Sequence, residues 1–140
     1  MATNIENYRL QNGIRIFCLT ARSFPEGILE VHDKLHGMVP LFDDRRFFGV
    51  SNPDENGTII YKAGCEELFP GELDNLDLEL VIIPSGNYSE IIIHNYKRDA
   101  LAIRHAFQEI LTLEGIDPNG FCVEWYLNET DVRCMVRMAE

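Results

Sequence analysis

Apolar residues recur along this chain at two different spacings, and each spacing predicts one kind of element. In the segment FPEGILEVHDKLHGM they recur every three or four residues, which is typical of one buried face of a helix. Pro25 stands where a helix can begin, and Gly37 marks its expected end. The sequence therefore predicts an amphipathic helix of about three turns. Its apolar face consists of Ile28, Val31, Leu35 and Met38.

A second amphipathic helix is predicted at residues 97–113, where the helical spacing returns. Gly115 follows its expected end, as glycine often does at the end of a helix. The predicted apolar face of this helix consists of Ala100, Ile103, Phe107, Ile110 and Leu111.

Short runs rich in β-branched and aromatic residues, bounded by turn-forming residues, predict the strands. These runs cover residues 13–20, 45–51, 58–64, 78–84, 87–94, 121–127 and 131–138. The turn formers NPDENG join two of them into a hairpin, and Asn128-Glu129-Thr130 joins the last two. The order strand, helix, strand, strand is therefore predicted twice.

The helices of the two halves also align residue by residue. Phe24 aligns with Tyr96 and Leu35 with Phe107 at one constant spacing along the chain. We therefore expect residues 1–140 to form a single α+β domain, with half-repeats at about 8–68 and 76–139. Each half would be a strand-helix-strand-strand module with an antiparallel sheet. A cleft at the pseudo-twofold junction of the two modules would be the expected ligand site.

The charge of the chain limits the partners that it can bind. Twelve Lys and Arg residues face 23 Asp and Glu residues, which gives a net charge of -11. The polyanionic backbone of nucleic acid would be repelled, and the best basic cluster is only the pair Arg45 and Arg46. We expect no direct contact with nucleic acid. An acidic chain suits a cationic small molecule, but the same charge also suits an ordinary solvated surface.

The sequence also indicates the compartment. The polar start MATNIENYRLQNG lacks the features of a signal peptide, and no run is long and apolar enough to span a membrane. We therefore expect a cytoplasmic protein that does not bind a membrane. The four cysteines lie far apart without CxxC spacing, which favours buried free thiols over disulfides. These are Cys18, Cys65, Cys122 and Cys134.

Several segments together carry a family resemblance. SFPEGI opens the first helix, RFFGVSNP precedes YKAG, PGEL leads into VIIPSGNY, and PNGFCVEWYL lies near the end. In this order they resemble the GyrI-like, or bacterial transcription activator effector-binding, superfamily, and in particular its stand-alone, integron-associated AraC-effector-type branch. The resemblance implies the duplicated fold and a central pocket for drug-like, cationic or aromatic small molecules. It also implies that the family's E-x-Y pocket motif falls on Glu124 and Tyr126.

The pattern around Glu124 supports a binding role independently. In an extended strand, Cys122, Glu124 and Tyr126 share one face, and Trp125 lies on the other. A buried carboxylate is costly unless it is neutralised or finds a cation, and aromatic faces attract cations by about 0.5–2 kcal/mol. The predicted ligand-binding residues are Glu124, Tyr126, Tyr61, Phe48, Tyr88 and Trp125.

A structural ion pair is the alternative role of Glu124. Pairing of the last two strands would place Met135 about opposite Glu124, with Arg133 and Arg137 as diagonal neighbours on the same face. Either arginine could then neutralise the carboxylate without any ligand.

Metal and cofactor chemistry find little support in the sequence. His32 and His36 imitate HExxH with Asp33 in place of Glu, but no third ligand follows, and we expect the two histidines to flank the solvent-exposed face of the helix. His94 and His105 have no partnered nucleophile, so no acyl-transfer triad is indicated. We expect no metal and no cofactor.

Three classes of function follow. The resemblance most directly implies a small-molecule binding or sensing domain without its own DNA-binding domain, which would regulate transcription through a protein partner. One alternative is a hydrolase of reactive electrophiles, with Glu124 as general base beside Tyr126. The other is an interaction module similar to gyrase inhibitors. We expect a binding protein rather than an enzyme.

Overall fold

The structure, a computed structural model, describes residues 4–40 and 44–139. The two ends of the predicted domain of residues 1–140, and positions 41–43 within it, lie outside the described residues. The elements in chain order are β1 (Glu6–Leu10), β2 (Ile14–Thr20), α1 (Ile28–Met38), β3 (Phe47–Pro53), β4 (Ile59–Cys65), β5 (Glu79–Ile83), β6 (Gly86–Ile93), a 3-10 turn (Tyr96–Arg98), α2 (Ala102–Ile110), β7 (Cys122–Tyr126) and β8 (Val132–Arg137).

The chain divides into two compact units. The continuous unit is Ile14–Ile83, and the split unit combines Met1–Gly13 with Pro84–Glu140.

In the continuous unit, the strands pair antiparallel in the order β3-β4-β2-β5. Helix α1 packs on one face of these strands because Val31 and Leu35, four residues apart, point the same way. These side chains contact a cluster that includes Phe17, Tyr61 and Cys65. The apolar spacing of the sequence therefore identified the buried face of α1.

In the split unit, the strands pair antiparallel in the order β1-β6-β8-β7. Helix α2 buries Ala106 and Ile110 against one face of these strands. The fully buried strand residues in that cluster are Val132, Cys134 and Val136, which alternate along β8.

The two units repeat one plan, as predicted. Each contains a strand, a helix and two further strands, and the fold is α+β with antiparallel pairing. Each unit also has an added edge strand. β1 precedes β2 in the chain but pairs with β6, whereas β5 precedes β6 but pairs with β2.

Two features differ from the predicted elements. β1 was missed because ENYRL is polar and has its only strongly buried side chain at Leu10. The second helix begins at Ala102 rather than at 97, and it ends at Ile110. Asn95 adopts a left-handed conformation, and the Asp99 carboxylate accepts a hydrogen bond from the Leu101 backbone N–H. Such side-chain bonds to the backbone compete with helix formation.

All four cysteines carry free thiols, and Cys18, Cys65 and Cys134 are buried, as predicted. Burial raises the pKa of the Cys18 thiol to about 12 and that of the Cys65 thiol to about 11. None of the helices within residues 4–40 and 44–139 has the length and apolar character needed to cross a membrane.

Candidate functional site

The alternation predicted for β7 is confirmed by its packing. Cys122 and Tyr126 join the cluster beneath α2, whereas Trp125 lies on the other face, beside Arg133. Glu124 shares the α2 side with Cys122 and Tyr126, because side chains two residues apart in a strand point the same way. Only 7% of Glu124 is exposed. The strand therefore holds a buried carboxylate on the face that packs against the helix.

Tyr126 orients this carboxylate. Its hydroxyl donates a hydrogen bond to Oε1 of Glu124 over 2.5 Å. Directly across the hairpin, Glu124 faces Cys134, which belongs to the same buried cluster. Burial, together with the charge of Glu124, raises the pKa of the Cys134 thiol. The surroundings of Glu124 on β8 are therefore apolar, and the aromatic side chain of Tyr126 donates a hydrogen bond to its carboxylate.

Tyr96 is a third member of the site, and sequence reasoning missed it. Its ring centroid lies 5.6 Å from that of Tyr126, with the two ring planes at 58°. Burial raises the pKa of the Tyr96 hydroxyl, and the charge of Glu124 raises it further. The backbone N–H of Tyr96 donates a hydrogen bond to the carbonyl of Thr130, which holds the backbone of Tyr96 against the β7–β8 turn. The alignment of Phe24 with Tyr96 was the available signal.

The register of β7 and β8 corrects the predicted ion pair of Glu124. Cys134, and not Met135, lies opposite Glu124, and Trp125 faces Arg133. A difference of one residue moves every side chain to the other face of a strand. Arg133 and Arg137 therefore lie on the face away from α2. Arg133 pairs with Glu90 and Arg137 with Asp117.

The other predicted ligand residues fall at separate places. In the split unit, Tyr88 lies on the same face as Trp125, and its hydroxyl donates to the carbonyl of Pro84 over 2.6 Å. In the continuous unit, Tyr61 lies on the face covered by α1, and Phe48 lies on the opposite face. The structure thus brings Glu124 and Tyr126 together on one face, and it places Trp125 and Tyr88 on the other face of that unit.

Tyr61 forms a second polar and aromatic cluster. Its hydroxyl lies 2.7 Å from Nε2 of His32, and its ring stacks on Phe24 with centroids 5.9 Å apart. The prediction that both histidines flank the solvent-exposed face is wrong for His32, which is half-buried against Tyr61. Burial, aided by the nearby His36, lowers the pKa of His32 to about 4. His32 is therefore neutral at physiological pH.

A metal site does not emerge from the part of the chain that the structure describes. Its His, Cys, Asp and Glu residues form no group of three or more that could hold a metal ion.

Several proteins of known structure have a fold similar to that of this chain. No protein-family model and no curated protein sequence matches this chain. An integron cassette protein from Vibrio cholerae is similar over 96% of this chain and 95% of its own, with a TM-score of 0.71 and 13% identity. A bacterial transcription regulation protein from Staphylococcus aureus MU50 is similar over 97% and 99%, with a TM-score of 0.61 and 9% identity.

Two further solved structures are similar over almost the whole chain. SAV2435, solved bound to tetraphenylphosphonium, is similar over 98% of this chain and 94% of its own, with a TM-score of 0.59 and 10% identity. A hydrolase from Listeria innocua is similar over 98% and 92%, with a TM-score of 0.52 and 10% identity. At these identities the similarity shows a shared fold.

Proposed function

We propose that this chain is a small-molecule binding domain of the transcription-regulator effector-binding type, and that it binds cationic aromatic compounds at Glu124. One observation carries the proposal. Glu124 is 7% exposed, yet it lies on an apolar strand face beneath α2, where Tyr126 orients it. A cation that binds beside a carboxylate in such surroundings stabilises its charged form.

The aromatic neighbours suggest the class of ligand. Tyr126 and Tyr96 present two rings beside the carboxylate at an angle of 58°. Aromatic faces and a carboxylate together favour an organic cation over a metal ion, because the rings attract a soft, weakly hydrated charge. That SAV2435, a protein of similar fold, binds tetraphenylphosphonium is consistent with this class. We also propose that residues 1–140 form one effector-binding domain.

Calorimetric titration with tetraphenylphosphonium tests the proposal. We expect wild-type protein to bind it, and Glu124→Gln to bind it at least about tenfold more weakly, which corresponds to about 1.4 kcal/mol. Glu90→Gln is the matched control, since Glu90 is also a buried carboxylate of the split unit but lies on the other strand face. It should bind as the wild type does.

A neutral aromatic ligand separates charge from shape. Triphenylphosphine oxide has similar rings and no net charge, so Glu124→Gln should leave its weaker binding unchanged. If Glu124→Gln instead lowers stability and leaves the affinity for tetraphenylphosphonium unchanged, Glu124 has a structural role and the proposal is wrong.

A hydrolase is the second candidate, favoured by the hydrogen bond that orients Glu124. A carboxylate held by Tyr126 could accept a proton from a water molecule that attacks an electrophilic ligand. Incubation with an electrophilic substrate tests this role. Product in excess over protein, lost in Glu124→Gln, would favour the enzyme, whereas product limited to one equivalent would argue against it.

A further inference from the structure

On the face away from α2, the split unit contains a cluster that the proposed function does not use. The guanidinium carbon of Arg133 lies 4.1 Å from the centroid of the Tyr8 ring and 4.7 Å from that of the Trp125 ring. The two rings meet edge to face, with centroids 6.1 Å apart. The two distances from the guanidinium carbon to the ring centroids are well within the range in which an aromatic ring attracts a cation.

A buried carboxylate completes this cluster. Oε1 of Glu90 lies 2.7 Å from Nε of Arg133, and the two side chains are only 12% and 16% exposed. Although Oε1 of Glu90 and Nε of Arg133 are this close, neither atom makes a hydrogen bond of suitable geometry with any described residue. The attraction is therefore that of opposite charges at short range. Glu6 lies opposite Glu90 on β1, which adds a second negative charge to the same edge.

Aromatic rings beside a buried carboxylate form a typical binding site for an organic cation, and in this protein the bound cation is the guanidinium of Arg133. We propose that Tyr8, Trp125 and Glu90 form a guanidinium-binding cage that Arg133 occupies in cis. The site is complete and filled in the wild-type protein. External cations are consequently excluded from Trp125, and ligand binding is left to the face that carries Glu124.

Removal of the resident side chain should expose the cage to a ligand. Arg133→Ala deletes the part of the side chain that ethylguanidinium reproduces. We expect this variant to bind ethylguanidinium saturably in the millimolar range and ethylurea, its neutral analogue, not at all. Wild-type protein should bind neither compound at these concentrations, because the cage is occupied.

Trp125 provides the reporter, since it is the single tryptophan of the chain. A cation that stacks on its ring should change its fluorescence with the same saturation curve that calorimetry gives. Arg137→Ala is the matched control, because Arg137 lies on the same face of β8 but pairs with Asp117. This control should gain no ethylguanidinium site. Adding Glu90→Gln to Arg133→Ala should weaken binding at least about tenfold, because the cage then lacks its carboxylate.

The inference fails if Arg133→Ala binds ethylguanidinium no better than wild type, or if ethylurea binds equally well. Should the variant fold poorly, its refolding yield becomes the measurement. Rescue by ethylguanidinium and not by ethylurea supports the cage, and equal effects of both compounds overturn it. The inference does not depend on the proposed ligand site, so the same titration in a Glu124→Gln background should give the same result.

Discussion

Protonation of His32 should couple the stability of the fold to pH. The pKa of His32 in the folded protein is about 4, against an ordinary value of 6.5. At any pH between these values the unfolded chain binds more protons than the folded chain. The contribution of neutral His32 to the free energy of unfolding is therefore fully present above pH 6.5, and it is lost as the pH drops from 6.5 toward 4.

The size of this effect follows from the two pKa values. From pH 7.5 to pH 5.5, linkage predicts a loss of about 1 kcal/mol from this one histidine. The figure hardly depends on how far below pH 5 the folded pKa lies, because the unfolded chain takes up most of the protons in this interval. This range also stays above the isoelectric point of about 4.7, near which proteins tend to precipitate.

Urea denaturation at pH 7.5, 6.5 and 5.5 measures the effect as a difference. The free energy of unfolding of the wild type minus that of His32→Gln should fall by about 1 kcal/mol across the interval. The subtraction removes the titration of the carboxylates, which both proteins share. His105→Gln, which alters an exposed histidine of α2, is the control for a His-to-Gln substitution outside this cluster. A constant difference for His32→Gln would refute the assigned burial of His32.

Two further substitutions test the packing of the continuous unit. Arg45→Met should lower the free energy of unfolding, measured by urea denaturation, by about 3 kcal/mol, because it leaves the Glu72 carboxylate, whose side chain is 8% exposed, without its buried guanidinium partner. Arg46→Met removes a more exposed ion pair and should cost less than about 1 kcal/mol. Equal losses in the two variants would contradict the difference in burial. Gly64→Ala should destabilise by about 1–3 kcal/mol, because a Cβ there would lie 2.6 Å from Sγ of Cys18. Cys18→Ala should restore part of that loss, and additive effects of the two changes would argue against this contact.

The sequence predicted the faces of the elements better than their partners. Alternation alone put Cys122, Glu124 and Tyr126 on one side of β7, because side-chain direction is a local property of an extended chain. The residue opposite Glu124 depends on how the Asn128-Glu129-Thr130 turn closes. There the Asn128 side chain accepts hydrogen bonds from the backbone N–H groups of Thr130 and Asp131. Those bonds fix the register, and the sequence pattern does not reveal them.

Long-range pairing was the second point beyond reach of the sequence. β1 has no clear alternation and is recognisable only by its pairing with β6, far along the chain. The cage around Arg133 depends on that pairing, because Tyr8 belongs to β1. Hydrophobic patterns report burial by neighbours of any kind, so they identify a core face without identifying which strand lies beside it.

The exchange of edge strands has a consequence for synthesis. Glu6 on β1 pairs with Glu90 on β6, so β1, which is synthesised before the continuous unit, finds its partner only after that unit has been made. At about 5–20 residues per second, that interval lasts several seconds. During this time Ile14–Ile83 can form its own sheet from contiguous chain, including β5 as its edge. β1 is unpaired during this interval, and the polar and charged residues of its sequence ENYRL disfavour aggregation through its exposed backbone groups.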